Sequence, residues 1–308
     1  MLMEKNKYTS LGFRLLDIFY IVMMALPILV GIVIKLLTEP ISEGINVTGA
    51  RIFLTVPMPL MDLIISESQI NSALVLVTIF FFCLYMTHGL SEKCELKRQH
   101  FAELIVEKVD GLVRENMGEY FIGYSPFIIA IMALSALSSL VSLTGLYPPT
   151  SDINIVGGWA ILVFIIITYY KMKCGPLNYL KGFTEPIALL APINFISEFA
   201  TPVSMAFRHY GNILSGTVIS VLLGAALGGL SSTVLGWLPG FLGEIPFLRI
   251  GIPAVLSIYF DVFSGCLQAF IFAMLTMLNV SGAFSPDDYE EYRRKKLERK
   301  NKKIKINN

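Results

Sequence analysis

Between Pro192 and Ser220 the chain reads PINFISEFATPVSMAFRHYGNILSGTVIS, and Arg208 stands in the middle of sequence otherwise apolar enough for a lipid bilayer. An arginine at the centre of a bilayer costs at least about 2.5–3.5 kcal/mol on insertion scales, so its presence there asks for a function. Ser197, Thr201, Ser204, Arg208, Asn212 and Ser215 follow one another at steps of three or four, which stacks them on one face of a helix. Ser257, Asp261, Ser264 and Gln268 form a second stripe at the same helical spacing. If the two helices cross the membrane in opposite directions, Arg208 and Gln268 lie at depths of roughly 21 and 18 Å and can face each other. A neutral amide accepts a hydrogen bond from the guanidinium without cancelling its charge, which leaves that charge for electrostatic work on another group. Asp261, two turns from Gln268, is the acid that could carry or relay a cation. Its alternative is a structural ion pair with Arg208 itself.

These residues need a membrane around them, and the composition supplies one. A chain of 308 residues with 55% hydrophobic and 15% charged residues and a mean hydropathy of +0.67 has too little polar sequence to coat a soluble globule. It reads as an all-α polytopic membrane protein. The formal net charge of +1 is spread over a few short basic clusters and leaves no nucleic-acid footprint. Cys83, Cys94, Cys174 and Cys266 are scattered without metal-ligand spacing and read as free thiols, and His88, His100 and His209 are too far apart for a local ligand motif. Neither a metal nor another cofactor is expected.

Six spans follow along the chain: Leu15 to Ile34, Ser72 to Leu90, Tyr124 to Thr144, Ile155 to Tyr170, a fifth from about Asn194 to about Trp237, and a sixth from about Ile252 to Val280. The fifth is far longer than a perpendicular crossing needs, so it must tilt or bend. Gly216, Ser220, Gly224 and Gly228 give it a smooth strip of the kind that lets helices approach closely. Between the second and third spans, Ser91 to Met117 carries charges on one side and Phe101, Leu104, Ile105, Val109, Leu112 and Val113 on the other. Such a helix either lies on the membrane surface or docks on the protein itself. Ser135, Ser138, Ser139 and Ser142 line one face of the third span, where small hydroxyls serve close helix packing more often than a channel. Asn46-Val47-Thr48 matches a glycosylation sequon that chance explains, and Ser285-Pro286-Asp287-Asp288 opens a charged terminal helix. The sequence divides into an N-terminal extra helix and loop over 1–71, a membrane helix and amphipathic helix over 72–123, a helical core over 124–284 and a basic tail over 285–308.

Lys5, Lys7 and Arg14, the amphipathic segment, the group Lys171, Lys173 and Lys181, and the basic residues after Pro286 all fall on one side of such a topology; Lys35, Arg51 and Arg249 fall on the other. The positive-inside rule puts the first side, with both termini, in the cytoplasm.

At Pro192 to Glu198 (PINFISE), Pro202 to Asn212 (PVSMAFRHYGN), Leu267 to Thr276 (LQAFIFAMLT) and Pro149 to Asn154 (PTSDIN) the chain resembles subunit a of rotary F-type ATP synthases. That family is the membrane stator that conducts ions against a rotating ring of c subunits. The motifs come in the family's order and cover the chain from about the second span to Asn279. The resemblance implies a multi-pass protein of the cell membrane, long tilted fifth and sixth helices facing a c ring, a peripheral stalk of b subunits as second partner, and no ATP site in this chain. It implies that Arg208 is the family's essential arginine, Asn212 its nearby asparagine, Gln268 the glutamine of the last helix and Glu198 an acid lining an access channel, with Ser204 and Ser215 on the same polar face. Two positions depart from the pattern: Thr217 stands where several members have an acid or histidine, and Asp261 where some have histidine, so Asp261 becomes the one titratable group of that pair. The competing reading, an ion-coupled secondary transporter, also places charge at mid-membrane but calls for broken helices or paired repeats. The sequence displays neither.

Overall fold

The computed structural model describes residues 11–38, 49–59, 62–91, 96–184, 187–235, 255–256, 258–287, 289–294 and 297. Helix α1 (Leu11–Thr38) leads to an antiparallel hairpin of β1 (Ile52–Val56) and β2 (Leu63–Ser66), then to α2 (Glu67–Thr87) and the amphipathic α3 (Lys97–Met117). Next come α4 (Glu119–Thr144, with 3₁₀ turns at both ends), α5 (Ile153–Lys173), the short α6 (Pro176–Gly182), α7 (Ala191–Leu235) and α8 (Ile258–Gly282). Among the described residues six helices, all but α3 and α6, are long and apolar enough to span a bilayer. The six-span expectation is borne out, with ends shifted by a few residues as fraying helix termini allow. The sequon at Asn46, Cys94, Trp237, Ile252, Ser257 and most of the basic tail lie outside the described residues.

Successive spans alternate direction. One end of the bundle therefore holds the β1–β2 hairpin and the Pro148–Pro149 turn, here the hairpin face; the other holds α3, α6 and the chain after α8, here the tail face. At the hairpin face Asp152 caps α5 by accepting from the Asn154 amide (2.9 Å), Ser68 donates to Asp152, and Asn71 donates to the Tyr147 carbonyl (2.8 Å). These bonds satisfy the loop's polar groups and tie α2 to the α4–α5 turn.

The principal core lies where α3, α4, α5 and α8 meet, and Val113, Ile128, Val163, Phe272, Met277 and Val280 are buried there. Val109, Val113 and Met117 place the second half of α3 inside that core, so this helix docks on the protein itself; Phe101 and Leu104 near its start remain exposed. Ser135, Ser138 and Ser139 are fully buried, as a packing role requires. Their small size has a measurable use. A Cβ on Gly265 of α8 would stand 2.8 Å from the Ser139 Cβ, so glycine against serine sets how closely α4 and α8 approach.

Helix α1 joins this body along α2. Gly31 is buried, a Cβ there would stand 3.0 Å from Leu74, and Ile28 and Ile32 rest on a second cluster built around Val75, Val141 and Leu146. The charged groups of α1 sit at its ends. Asp17 binds both Arg98 (2.7 Å) and His88 (2.9 Å) toward the tail face, and Lys35 donates to the Gly145 carbonyl at the hairpin face.

The Gly265–Ser139 contact yields a first prediction. Gly265→Ala overpacks the α4–α8 seam, costs about 1–3 kcal/mol and lowers the thermal unfolding midpoint of the detergent-purified protein. Adding Ser139→Gly recovers part of that loss. Recovery fails only if the seam is not where the strain arises.

Candidate functional site

Forty-five residues of α7 make a helix about 68 Å long, more than twice the roughly 30 Å of bilayer hydrocarbon, so it crosses at a steep tilt. Pro202 interrupts its backbone ladder, because proline has no amide hydrogen to give the carbonyl four residues earlier, that of Glu198. Among the described residues, one side of α7 is buried against the rest of the protein and the other is exposed. Met205, Ala206, His209 and Ile213 are buried, whereas Val203, Phe207, Ile219 and Leu222 are exposed.

Arg208 lies on the exposed side, with Ser204 and Ser215 one and two turns away on the same face. Among the described residues its guanidinium has no ion-pair or hydrogen-bond partner, so the structural pairing with Asp261 is not made. Gln268 is buried and no hydrogen bond joins it to Arg208, which places the glutamine inside the bundle while the arginine looks outward. The neighbouring His209 is fully buried, its Nε2 3.3 Å from the Ser135 hydroxyl and its ring edge-on to Trp159 and Phe272. That packing fixes the rotation of α7 and so the direction in which Arg208 points.

Two contacts lock α7 to α8. The Ser264 hydroxyl donates to the Asn212 amide oxygen (2.9 Å) while the Asn212 nitrogen approaches the Ser264 carbonyl (3.4 Å). One turn on, a Cβ on Gly216 would stand 3.1 Å from the Phe260 ring, so glycine is what admits that ring; Gly224 has no such neighbour. The first seven residues of α8, Ile258–Ser264, wind as a π-helix, a form that concentrates at functional sites. The wider winding breaks the regular stripe expected from the sequence. Asp261 turns toward the hairpin face, Ser264 turns to Asn212, and Gln268 goes inside.

Two open cavities approach α7 from opposite faces. The tail-face cavity, about 630 Å³, is lined on α7 by Asn194, Ser197, Glu198 and Thr201, and elsewhere by Lys171, Tyr179 and Asn279 among others. Inside it the Lys171 ammonium is 2.7 and 2.6 Å from the two carboxylate oxygens of Glu198. Tyr179, on α6 at the mouth, has its phenol pushed up from its ordinary value by burial and then by the Glu198 carboxylate, so it stays a neutral hydrogen-bonding group. The hairpin-face cavity, about 310 Å³, is lined on α7 by Thr217, Ser220 and Val221, on α8 by Asp261, and otherwise by residues including Lys35, Arg51, Glu67 and Tyr147. Arg208 lines neither. Along the helix axis Thr201 lies about 10 Å to one side of it and Thr217 about 13 Å to the other.

Of the residues expected from the sequence, Glu198 therefore falls in one cavity, Asp261 and Thr217 in the other, and Arg208 with Ser204 and Ser215 on the exposed face between them. Asn212 serves the helix pairing. Sequence reasoning does not single out Lys171, Arg51 or Glu67 as site residues: Lys171 and Arg51 enter it only as orientation charges, and Glu67 lies in the loop of the 1–71 segment. The signal was there, since Lys171 ends one span and Glu198 begins the next on the same face.

The sequence profile of the family described as ATP synthase A chain matches residues 69–281. ATP synthase subunit a of Priestia megaterium is 33% identical over 234 residues, covering 71% of this chain and 93% of that protein. The corresponding subunit of Desulforamulus reducens is 32% identical over 230 residues, covering 72% and 81%. A Propionigenium modestum protein described as ATP synthase subunit a, sodium ion specific, is 36% identical over 147 residues, covering 47% of this chain and 44% of that protein.

The two cavities can be told apart chemically. In sealed vesicles, Thr201→Cys and Thr217→Cys should each react with a membrane-impermeant thiol reagent, from opposite sides. Reaction of both from one side would contradict the geometry.

Proposed function

The chain belongs to the subunit a family of F-type ATP synthases, the membrane stators of the rotary enzyme, and on that premise we propose that Arg208 separates two ion half-channels formed by the cavities at its sides. The observation that carries this reading is the Arg208 guanidinium, without a partner among the described residues, on the exposed face of α7 between Thr201 and Thr217. A subunit of this family works within a hetero-oligomeric complex in the membrane. The exposed side of α7 is the surface for the c ring, and b subunits form the peripheral stalk that holds the stator still. The protein sits in the cell membrane with both termini in the cytoplasm, a reading supported by the excess of basic residues on that side of the topology. The tail-face cavity is then the cytoplasmic half-channel and the hairpin-face cavity the outer one. The four-part division of the sequence follows the same plan, with the ion-translocating core over 124–284.

The mechanism is electrostatic. A ring carboxylate that arrives with its bound cation, H⁺ or Na⁺, meets Arg208, whose positive charge favours the ionised acid and repels the cation. The cation leaves by one half-channel, and after the ring has passed the arginine the site reloads from the other. Arg suits this better than Lys because the guanidinium stays protonated even where water is scarce. Asp261 and Thr217 serve the outer path; Glu198, held by Lys171, serves the inner one. Asn212 and Gln268 act through the scaffold, Asn212 by its bond to Ser264 and Gln268 from its buried place on α8. Ser204 and Ser215 flank the arginine with hydroxyls. The ion-coupled transporter has no support in the relatives.

Arg208 is a barrier as well as a catalyst. At an effective dielectric of about 20, Arg208 and an ionised ring carboxylate at about 4 Å attract by about 4 kcal/mol; a neutral, loaded site forgoes that contact, which slows its passage by roughly a thousandfold. Arg208→Ala should abolish ATP synthesis and ATP-driven pumping, yet leave or raise passive ion flow through the membrane sector once the soluble motor is removed. A transporter that used the arginine to bind its substrate would lose flux and gain no leak. The measurement is ion flux into vesicles under an imposed potential, with assembly checked by co-purification of the ring, and an assembled Arg208→Ala complex making ATP at the normal rate would falsify this role.

A further inference from the structure

The hairpin-face cavity has a second acid in its wall. Glu67, the first residue of α2, is only 7% exposed and lines the same cavity as Asp261. Its carboxylate accepts from Arg51 Nε at 3.0 Å, and the two residues are also joined through the backbone, where the Glu67 amide donates to the Arg51 carbonyl at 2.7 Å. Both precede the span matched to the family, residues 69–281. Burying a carboxylate is costly unless it is paired, and an apolar contact would hold the hairpin to α2 at lower cost. An acid retained in the wall of a cavity that can hold on the order of ten waters has another use. The cavity's other charged or titratable lining groups among the described residues are Lys35, Tyr147 and Asp261.

We propose that Glu67, held by Arg51 at the mouth of the outer half-channel, is the first carboxylate that an incoming cation meets, and that it hands the cation on to Asp261. This rests on the reading of the hairpin-face cavity as the outer half-channel. Written for a proton, water outside donates H⁺ to a Glu67 carboxylate oxygen as the Arg51 N–H···O bond to it opens. The neutral acid then releases that proton to cavity water, which protonates Asp261, and Arg51 closes again on the carboxylate. While Glu67 is protonated the Arg51 cation loses its counter-ion and is hydrated by the cavity water instead. Arg51 keeps its second anchor throughout, the bond from its guanidinium to the Thr38 carbonyl (3.0 Å).

The test uses the whole complex. Glu67→Gln keeps the shape and still accepts from Arg51 but cannot take a proton, so passive flux through the membrane sector should fall about tenfold. That is less than the roughly hundredfold of a lost catalytic proton transfer, because water can bypass a station at an open mouth. Glu67→Asp should retain most of the flux. In assembled Glu67→Cys complexes, a carboxyethyl thiosulfonate applied from outside rebuilds an acid on the thiol and should restore flux, whereas an aminoethyl reagent of similar length should not. If Glu67→Gln fails to assemble, Glu67→Gln with Arg51→Gln removes the whole ion pair, strands neither partner and is read in the same way. Normal flux in either variant overturns the proposal. So does a loss that neither reagent repairs, or that both repair equally, since either result makes Glu67 a structural latch. Asp261→Asn is the control: if it slows flux while Glu67→Gln does not, only this proposal fails, and if it too flows normally, the reading of the cavity fails with it.

Discussion

A guanidinium in a bilayer is tolerable only if something answers its charge, and in this chain nothing among the described residues does. The acids that could neutralise Arg208 are engaged or turned elsewhere. Glu198 has both oxygens on Lys171, Glu67 is held by Arg51, and Asp261 turns into the hairpin-face cavity. In the mechanism proposed above, keeping these carboxylates from the arginine leaves its positive charge to the ring carboxylates. A permanent ion pair would remove both the barrier and the driving contact for ion release.

Much of the fold exists to hold that arrangement. His209 anchors the buried side of α7 between Trp159, Phe272 and Ser135, so the adjacent Arg208 must face outward. Asn212 with Ser264, and Gly216 with Phe260, clamp α7 to α8 within two turns of the arginine. On the other side of α8, Gly265 against Ser139 brings α4 in close. Lys35 of α1, Arg51 just before β1 and Glu67 at the start of α2 line the hairpin-face cavity, and all three precede the family match.

The sequence made the spans legible because hydropathy and length are properties of single helices. It made Arg208 legible for the same reason, since one charge in an apolar run needs no partner to be noticed. The docking of α3 could not be decided in advance, because an amphipathic face looks alike whether it meets lipid or protein; Val109, Val113 and Met117 resolve it by entering the core. The Arg208–Gln268 bond was expected from depth alone. It is not made, because depth fixes neither helix's rotation: Gln268 is buried inside the bundle while Arg208 is on the exposed face of α7. Lys171 and Glu198, and Arg51 and Glu67, stand 27 and 16 residues apart in the chain, and no local pattern pairs them.

In the proposed mechanism Arg208 divides two water-filled paths at the ring surface. The most direct measurement is an electron cryo-microscopy map of the assembled membrane sector that resolves side chains and water. The Arg208 guanidinium should be turned to the ring within about 4–5 Å of a ring carboxylate, where opposite charges couple strongly. Ordered water should fill the cavities of Glu198 and Asp261 and stop on either side of the arginine. A continuous water path from Asp261 to Glu198, or Arg208 bound to a carboxylate of its own chain, would contradict it.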